Sequence, residues 1–317
     1  MRDLQTLMRR AVAMAGAVAT LGLAQFVTGM LFINYVQLPG LTTNVPLFAV
    51  SDRGGLNRPP GTAIHPIEFG SLLTMILPIA LHLAMTDRSR TLLRRWYPVG
   101  VIAVAIPIAI SRSAILSALV VLVVLLPTWS TRVRRRAYLI IIALVGALFV
   151  TIPGLIGTIT RLFTGISGDS SAQSRTDSYH IAFEFISRNP IVGRGFMTFL
   201  PAYRILDNQY LGLLIDAGIL GLTSYLLLLA SGIYTAVRIR RNSSNADIRG
   251  IAQAFAASIA SAAASFALFD AFSFPMAGGT LMFVMGLTGA LARITWMNRD
   301  TVTVRYGNGA RKRRVAP

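Results

Sequence analysis

The fold class is decided by the stretch YLGLLIDAGILGLTSYLLLLASGIYTAVRIRR, residues 210–241. The stretch is apolar over most of its length and ends in a cluster of arginines. A helix needs about 20 apolar residues to cross the roughly 30 Å hydrocarbon core of a bilayer. We therefore predict a transmembrane helix here, with its arginine end at one membrane surface.

Composition extends this prediction to the whole chain. Of the 317 residues, 54% are hydrophobic and 13% are charged, and the mean hydropathy is +0.62. A soluble protein of this size needs more polar residues to cover its surface. The pattern predicts an all-α, polytopic membrane helical bundle with eight transmembrane helices, at about 11–32, 67–85, 97–111, 114–128, 137–156, 209–233, 251–269 and 277–294.

Two of these spans carry further expectations. The third and fourth are short, so we expect this pair to be tilted or broken at Ser111-Arg112-Ser113. The first follows Arg9 and Arg10 and resembles a signal peptide, but no small-residue cleavage site stands out after it. We therefore expect a retained first helix.

The chain is predicted to form a single membrane domain over residues 1–317. Its predicted parts are N-terminal helices over 1–156, a large extracytoplasmic loop over 157–208, C-terminal helices over 209–294 and a basic cytoplasmic tail over 295–317. Short helices are expected in the large loop, including an amphipathic one from Arg175 to Ser187. Long loops on one face of a membrane domain are where functional sites are usually built.

The charge distribution sets the predicted orientation. A net charge of +18 and a pI of about 11.5 are typical of nucleic-acid binding proteins. With the N-terminus placed inside, however, the whole net charge falls on the predicted cytoplasmic segments, as the positive-inside rule requires. We therefore predict a multi-pass protein of the inner (cytoplasmic) membrane with both termini cytoplasmic, no nucleic-acid partner, and contacts between membrane lipids and Arg132–Arg136 and Arg311–Arg314.

Several kinds of chemistry are excluded by composition. The chain has no cysteine, so disulfides and thiolate sites are absent. The three histidines, His65, His82 and His180, lie far apart and form no metal-binding motif. We expect no metal and no cofactor.

Arginines are dense in the large loop, at positions 161, 175, 188, 194 and 204. The planar guanidinium binds phosphate and pyrophosphate oxygens in a bidentate way, so this density favours an anionic ligand at the membrane surface. The alternative is a general bias toward arginine, because Lys312 is the single lysine of the chain.

Three further positions combine charge with membrane boundaries. Arg112 lies at the outer end of two apolar helices, where it either extends to the headgroups or binds a partner or ligand. Asp207 and Asn208 open the sixth span and suit a helix N-cap. Asp216 lies about 13 Å deeper along that helix, so it must face a partner or a wet cavity.

Other residues have a structural alternative. His65 and Glu68 fall within one helical turn and suit an acid/base pair, although a histidine at a helix start is more often structural. Gly218 and Gly221 are one turn apart and permit close helix packing. Asp270 is interpreted as a boundary residue.

Four motifs together resemble the O-antigen ligase and O-antigen polymerase superfamily. The family pattern His-(Asn/Ser/Gln)-x9-Gly-x-x-Gly is matched by DNQYLGLLIDAGILGL at 207–222. The stretch SRTDSYHIAFEFISRNPIVGRGF at 174–196 resembles the family's arginine-containing loop helix followed by NPxxGxG. Ser111-Arg112-Ser113 resembles its helix-end SR motif, and RPPGTAIHPIEFG at 58–70 its RxxGTxxHPxxFG segment.

The resemblance implies a membrane glycosyltransferase of the GT-C type. Such an enzyme takes a glycan from a polyprenyl-diphosphate carrier on the extracytoplasmic face and joins it to a hydroxyl of a glycan or lipid acceptor. By matching positions, Arg112 and Arg175 would hold the diphosphate, and Asp207 would orient or deprotonate the acceptor. Substrate binding is assigned to Arg161, Arg194, Arg204, Asn208, Tyr210, His65 and Asp216. No metal is expected, because protein cations stabilise the leaving phosphate.

The chain departs from the family in two ways. Asp207 stands where the family's ligases usually have histidine, which favours a surface polysaccharide polymerase or related transferase over a lipopolysaccharide ligase. The chain is also shorter than is usual, by several N-terminal helices, so a compact or incomplete member is expected. The alternatives are a transporter or flippase for lipid-linked sugars and a non-catalytic partner in a polysaccharide export or synthesis complex. Transporters usually place ionisable groups near the midplane, whereas here these groups gather at one face.

Overall fold

In a computed structural model, the chain folds as a bundle of α-helices. The structure describes residues 1–32, 50–164, 170–199, 203 and 206–311. It describes the side chains of all these residues except 170–177 and 298–311. The helices in these ranges are α1 (Arg2–Thr28), α2 (Pro66–Thr86), α3 (Leu92–Ile108), α4 (Arg112–Leu125), α5 (Thr131–Thr151), α6 (Leu155–Thr164), α7 (Ser170–Arg188), α8 (Gln209–Asn242), α9 (Ala246–Phe266) and α10 (Pro275–Arg311). Strands β1 (Ser51–Arg53) and β2 (Leu56–Arg58) form an antiparallel hairpin between α1 and α2.

The all-α membrane class is confirmed, whereas the number of eight spans is not. Among the described residues, four helices are long and apolar enough to cross a bilayer: α1, α2, α8 and the Pro275–Met297 part of α10. The bent pair of α5 and α6 makes a fifth if it is counted as one span. Helices also form at the other predicted positions, but α3 has 17 residues and α4 has 14. Both are shorter than the roughly 20 residues that a perpendicular crossing needs.

Helix α9 is the central helix of the bundle. Its sequence is rich in alanine and serine, and most of its residues are buried against α2, α4 and α8. Small side chains let helix backbones approach closely, and serine hydroxyls can bond across the interface. The Ser258 hydroxyl donates to the Met75 carbonyl of α2 at 2.6 Å, and the Ser117 hydroxyl of α4 donates to the Ser261 carbonyl at 3.2 Å. These contacts fix α2 and α4 on two sides of α9.

Helices α3 and α4 are separated by the break that the short spans predicted. Helix α3 ends at Ile108 and α4 begins at Arg112, with Ile110 between them at φ +45°. A β-branched residue in this left-handed region is unusual, so the surrounding packing must hold it there. Ile110 is fully buried. The start of α4 packs tightly against α2, since a Cβ added at Gly70 would lie 2.5 Å from the Ala114 Cβ.

The predicted fifth span, 137–156, is wrong at its C-terminal end. Helix α5 ends at Thr151, and α6 leaves it at an angle of 108°. Gly154, at φ +85°, provides the turn between them. Leu155 and Leu162 of α6 are buried in an apolar cluster with the α3–α4 connection. Because these residues pack against the α3–α4 connection, α6 turns away from the axis of α5 and does not continue the span.

Helix α8 is interrupted at Gly218, where the sequence predicted a continuous span. Gly218 has φ +64° and ψ −163°, a conformation available essentially to glycine. The turn segment 190–195 packs into this interruption and bonds to it on both sides. The Ile219 N–H donates to the Pro190 carbonyl at 2.9 Å, and the Gly195 N–H donates to the Asp216 carbonyl at 2.8 Å. The turn segment therefore supplies the hydrogen bonds that the helix loses at its break.

Side-chain contacts identify which segments lie at each end of the bundle. Arg9 of α1 bonds Asp87 after α2 at 2.7 Å, and His82 of α2 contacts Asp247 of α9 at 3.1 Å. These contacts bring the first residues of the chain, the α2–α3 connection and the α8–α9 connection to the same end. We call this the basic end. The opposite end, where α2, α4, α8 and α10 begin, is called the loop end.

The interruption of α8 makes a testable prediction about Gly218. A Gly218→Ala substitution should destabilise the protein by about 2–3 kcal/mol, because the new Cβ would clash with the Ile191 carbonyl and the backbone would be strained. The apparent Tm of the purified protein in detergent measures this effect. Gly212→Ala is the matched control on the same helix, since an added Cβ there meets nothing within 4 Å. Equal Tm values for Gly218→Ala and the wild type would contradict the described break.

Candidate active site

The loop end is held together by the first turn of α8. The Gln209 N–H donates to the Phe269 carbonyl at 3.1 Å, and its side-chain oxygen accepts from the Phe272 N–H at 2.7 Å. The Tyr210 hydroxyl donates to the Ala263 carbonyl of α9 at 2.7 Å. Asn208 is the N-cap of α8, and its side-chain oxygen accepts from the backbone N–H groups of Tyr210 and Leu211. These bonds fix the start of α8 against the end of α9.

Glu68 joins the start of α2 to the start of α10. This carboxylate is fully buried and accepts from the backbone N–H groups of Ile64 at 2.9 Å, Met276 at 2.6 Å and Ala277 at 3.3 Å. A carboxylate that accepts several N–H groups at a helix N-terminus is well stabilised. Its bonds are therefore those of a structural anchor.

His65 is the N-cap of α2. Its Nδ1 accepts from the Ile67 N–H at 3.1 Å, and its ring lies 6.1 Å from that of Phe274. Burial and the nearby Arg58 and Arg53 lower the pKa of His65 to about 4, which keeps the ring neutral at physiological pH. Both His65 and Glu68 have backbone partners, which favours the structural alternative to an acid/base pair.

Two arginines lie at the α3–α4 break. Arg112 is the first residue of α4 and is half-buried, with its Nε atom shielded from solvent. Arg58 comes from β2, is 8% exposed, and donates through Nε to the Ala109 carbonyl at 3.3 Å. Burial, with a contribution from Arg53, lowers the pKa of Arg58 to about 10, so the guanidinium remains charged at neutral pH. A buried guanidinium is costly, which makes this cationic group a strong candidate for anion binding.

Two carboxyl groups also lie near each other at the loop end. Asp207 immediately precedes the N-cap of α8, and Asp270 follows the end of α9. Burial raises the pKa of Asp270, and the negative charge of Asp207 raises it further. A hydrogen bond from the Ser273 side chain lowers the pKa, but the net shift is upward. A carboxyl group with a raised pKa beside a second carboxyl group suits proton transfer.

The acid predicted to lie deep in the membrane has a backbone partner. The Asp216 carboxylate accepts from the Met197 N–H at 2.8 Å and from the Phe199 N–H at 3.2 Å. Asp216 therefore ties the residues after the turn segment to α8, just before the break at Gly218. The sequence predicted that an acid at this depth needs a partner, and the backbone of the large loop is that partner.

The arginines of the large loop occupy different environments. The Arg194 guanidinium lies 4.6 Å from the centre of the Phe185 ring, and Arg188 pairs with Glu184 at 2.6 Å on α7. Arg161 is exposed on α6. Arg204 and the side chain of Arg175 lie outside the described residues, although Arg175 itself belongs to α7. Arg194 thus stacks on the rings of Phe185 in α7 and Tyr203 in the loop, as a delocalised cation favours.

The comparison with known families identifies the central part of this chain. Residues 97–226 match the O-antigen ligase family. The match confirms the resemblance to the O-antigen ligase and polymerase superfamily that the motifs predicted. It runs from α3 into α8 and contains Arg112, the whole of α7 and Asp207. No curated protein matches the chain.

The structure brings part of the predicted site together at the loop end. Arg112, Asp207, Asn208, Tyr210 and His65 all lie at the loop end, on elements joined by the contacts described above. Two further predicted residues, Arg194 and Asp216, lie beside the interruption of α8.

Sequence reasoning missed three residues at the loop end, namely Arg58, Gln209 and Asp270. Arg58 stands in the RPPGTAIHPIEFG motif, and this position was the signal that could have found it. Gln209 directly follows Asn208, which was predicted correctly to cap the start of a helix. Asp270 was interpreted as a boundary residue because its proximity to Asp207 depends on how α8 and α9 pack.

The depressed pKa of His65 predicts a pH-dependent stability. As the pH falls from 6.5 toward 4, the unfolded chain takes up a proton that the folded chain excludes, so stability decreases. At pH 5 the loss is on the order of 1–2 kcal/mol. His65→Asn retains an N-cap side chain without this titration, so its apparent Tm should fall less than that of the wild type between pH 7 and pH 5. His180→Asn, at an exposed position on α7, is the control. Parallel Tm curves for wild type and His65→Asn would contradict the prediction.

The raised pKa of Asp270 predicts the opposite pH trend. Above the ordinary pKa of 3.8, the unfolded chain releases a proton that the folded chain retains, so the folded state is penalised as the pH rises. Asp270→Asn lacks this penalty and should gain in Tm relative to wild type between pH 4 and pH 7. Asp207→Asn should reduce the same pH dependence, because it removes the neighbouring charge. A constant Tm difference across this range would refute the assignment.

Proposed function

We propose that this protein is a surface polysaccharide polymerase or ligase-like glycosyltransferase that works at the loop end of the bundle. It transfers a glycan from a polyprenyl-diphosphate carrier to a hydroxyl group of a glycan or lipid acceptor. The O-antigen ligase match supports glycan transfer from a lipid-linked donor in general terms. The carrier, the acceptor and the choice of polymerisation over ligation are parts of this proposal.

The observation that carries the proposal is the position of Arg112 and Asp207. Both residues lie inside the matched stretch, nearly 100 residues apart in sequence, and both stand at the loop-end start of a helix. Helices α4 and α8 both pack against α9, which brings these starts to one end of the bundle. A cation and a carboxylate at one end of a membrane domain suit a reaction that releases a diphosphate and removes a proton.

The proposed chemistry is a single displacement. The acceptor oxygen forms a bond to the anomeric carbon of the donor glycan while the bond between that carbon and the diphosphate oxygen breaks. The electron pair leaves with the diphosphate, whose charge is stabilised by Arg112, by Arg58 and by Arg175 of α7. The acceptor proton passes to the Asp207 carboxylate. Asp270, with its raised pKa, is suited to share that proton.

The proposed orientation follows from charge. The arginine-rich connections at the basic end would face the cytoplasm, and the loop end would face the extracytoplasmic side of the inner membrane. Arg9, Asp87 and Asp247 link the segments of the basic end and so support one common side for them. A carrier lipid in the outer leaflet would then present its diphosphate at the depth of Arg112.

The experiment that tests this function measures polymer length in cells. Cells whose single copy of the gene carries Arg112→Gln, Arg175→Gln or Asp207→Asn should lose long surface polysaccharide, with product reduced at least about tenfold for each variant. Gel profiles of the extracted polysaccharide give the readout, and membrane abundance of each variant is measured in parallel.

Arg188→Gln is the matched control, because Arg188 lies on α7 like Arg175 but pairs with Glu184 on the helix surface. It should leave the polymer unchanged. Wild-type product from stably expressed Arg175→Gln and Asp207→Asn variants would refute the transferase. Uptake of a labelled lipid-linked sugar by proteoliposomes, without bond formation, would instead assign the protein to transport.

A further inference from the structure

A cavity of about 570 Å³ lies at the basic end, far from the proposed transfer site. This partly open cavity is lined by residues at the ends of α2, α4 and α8 and at the start of α9. The volume is within the range of small-molecule and cofactor sites. Neither the family resemblance nor the proposed function uses this cavity.

The cavity is cationic. Arg240 and Arg241 from the end of α8 line it together with Arg249 from the start of α9. Among the described residues that line it, none is acidic. The neighbouring acid Asp247 contacts His82 Nε2 at 3.1 Å and accepts from the Gln5 amide at 3.5 Å, and it does not itself line the cavity. Three guanidinium groups around one cavity favour an anion with several oxygens.

The walls of the cavity are fixed by specific packing. The His82 ring is 5% exposed and lies so close to α9 that a Cβ added at Gly250 would be 2.6 Å from its Nδ1. On the α4 side, the Gln253 amide donates to the Val124 carbonyl at 2.7 Å. These contacts hold α2 and α4 against α9 at this level. The cavity is therefore built into the helix packing.

The lining divides into a polar part and an apolar part. The polar lining includes the arginines and Thr128, the apolar lining includes Leu81, Met85 and Leu125, and half-buried Trp129 also lines the cavity. Tryptophan is enriched where the hydrocarbon core meets the headgroups. A free phosphate would use the arginines alone, whereas a lipid uses both parts of the cavity.

We propose that this cavity binds the phosphate headgroup of an anionic lipid, with the first carbons of the lipid tail against the apolar wall. The ligand is a phosphate ester with a net negative charge, held by Arg240, Arg241 and Arg249. Such a site ties the end of α8 to the start of α9 through a shared lipid. It does not depend on the glycosyl transfer proposed above.

The test is lipid binding to the purified full chain, measured by native mass spectrometry in detergent. The probes are dioctanoyl phosphatidic acid, dioctanoyl phosphatidylcholine and inorganic phosphate. The wild type should bind one equivalent of phosphatidic acid more tightly than phosphatidylcholine. The double variant Arg240→Gln/Arg249→Gln should bind phosphatidic acid about tenfold more weakly or worse, since each removed arginine loses one strong phosphate contact.

Arg238→Gln is the matched control, because Arg238 is exposed on the same helix and does not line the cavity. It should keep wild-type affinity. Equal weakening by Arg238→Gln and by the double variant would overturn the proposal, because it would indicate diffuse surface attraction. Displacement of phosphatidic acid by low-millimolar inorganic phosphate would assign the cavity to free phosphate and overturn the lipid assignment.

A second readout keeps the proposal testable if the double variant does not fold. Brominated phosphatidic acid should quench the tryptophan fluorescence of the wild type more than brominated phosphatidylcholine does, and this difference should be lost in Trp129→Phe. Brominated phosphatidylcholine serves as the control lipid. Equal quenching by both lipids would refute a headgroup-selective site.

Discussion

The structure depends on one constraint of a membrane environment, namely that each backbone N–H and C=O group released by a break in a helix must find a new partner. Helix α8 breaks at Gly218, and the turn segment 190–195 supplies the replacement bonds. The break between α3 and α4 exposes the Ala109 carbonyl, and Arg58 donates to it. Both repairs bring loop residues into the bundle, which is how residues distant in sequence reach the loop end.

Carboxylates have two roles in this arrangement, and their partners distinguish them. Glu68 and Asp216 accept hydrogen bonds from loop backbone, so their charge is used to hold irregular segments. Asp270 instead lies near Asp207 at the loop end, and the charge of Asp207 contributes to the raised pKa of Asp270. Acids of the first kind stabilise the scaffold, and acids of the second kind remain suited to proton transfer. The predicted depth of an acid in the membrane did not indicate which role it has. Asp216 was predicted to lie deepest, and its carboxylate accepts hydrogen bonds from the loop backbone.

Much of the fold could be predicted from the sequence, because hydrophobic length and arginine placement act over single segments. The helices form at the predicted positions, and the short third and fourth spans indicated the break near Ser111. The sharp turn before α6 could not be predicted, because it depends on the burial of Leu155 and Leu162 by residues of another element. At the candidate site, Arg112 and Asp207 were found through motifs. Asp270 was not, because its significance arises from packing between two helices.

The composition of α9 has a consequence for how the protein enters the bilayer. Alanine and serine contribute little to the free energy of partitioning into lipid, so this helix has a weaker drive to insert than its neighbours. Its stability in the membrane comes from the surfaces of α2, α4 and α8 that surround it. Insertion of α9 is therefore coupled to the presence of helices synthesised before it, and biogenesis of the bundle is cooperative along the chain.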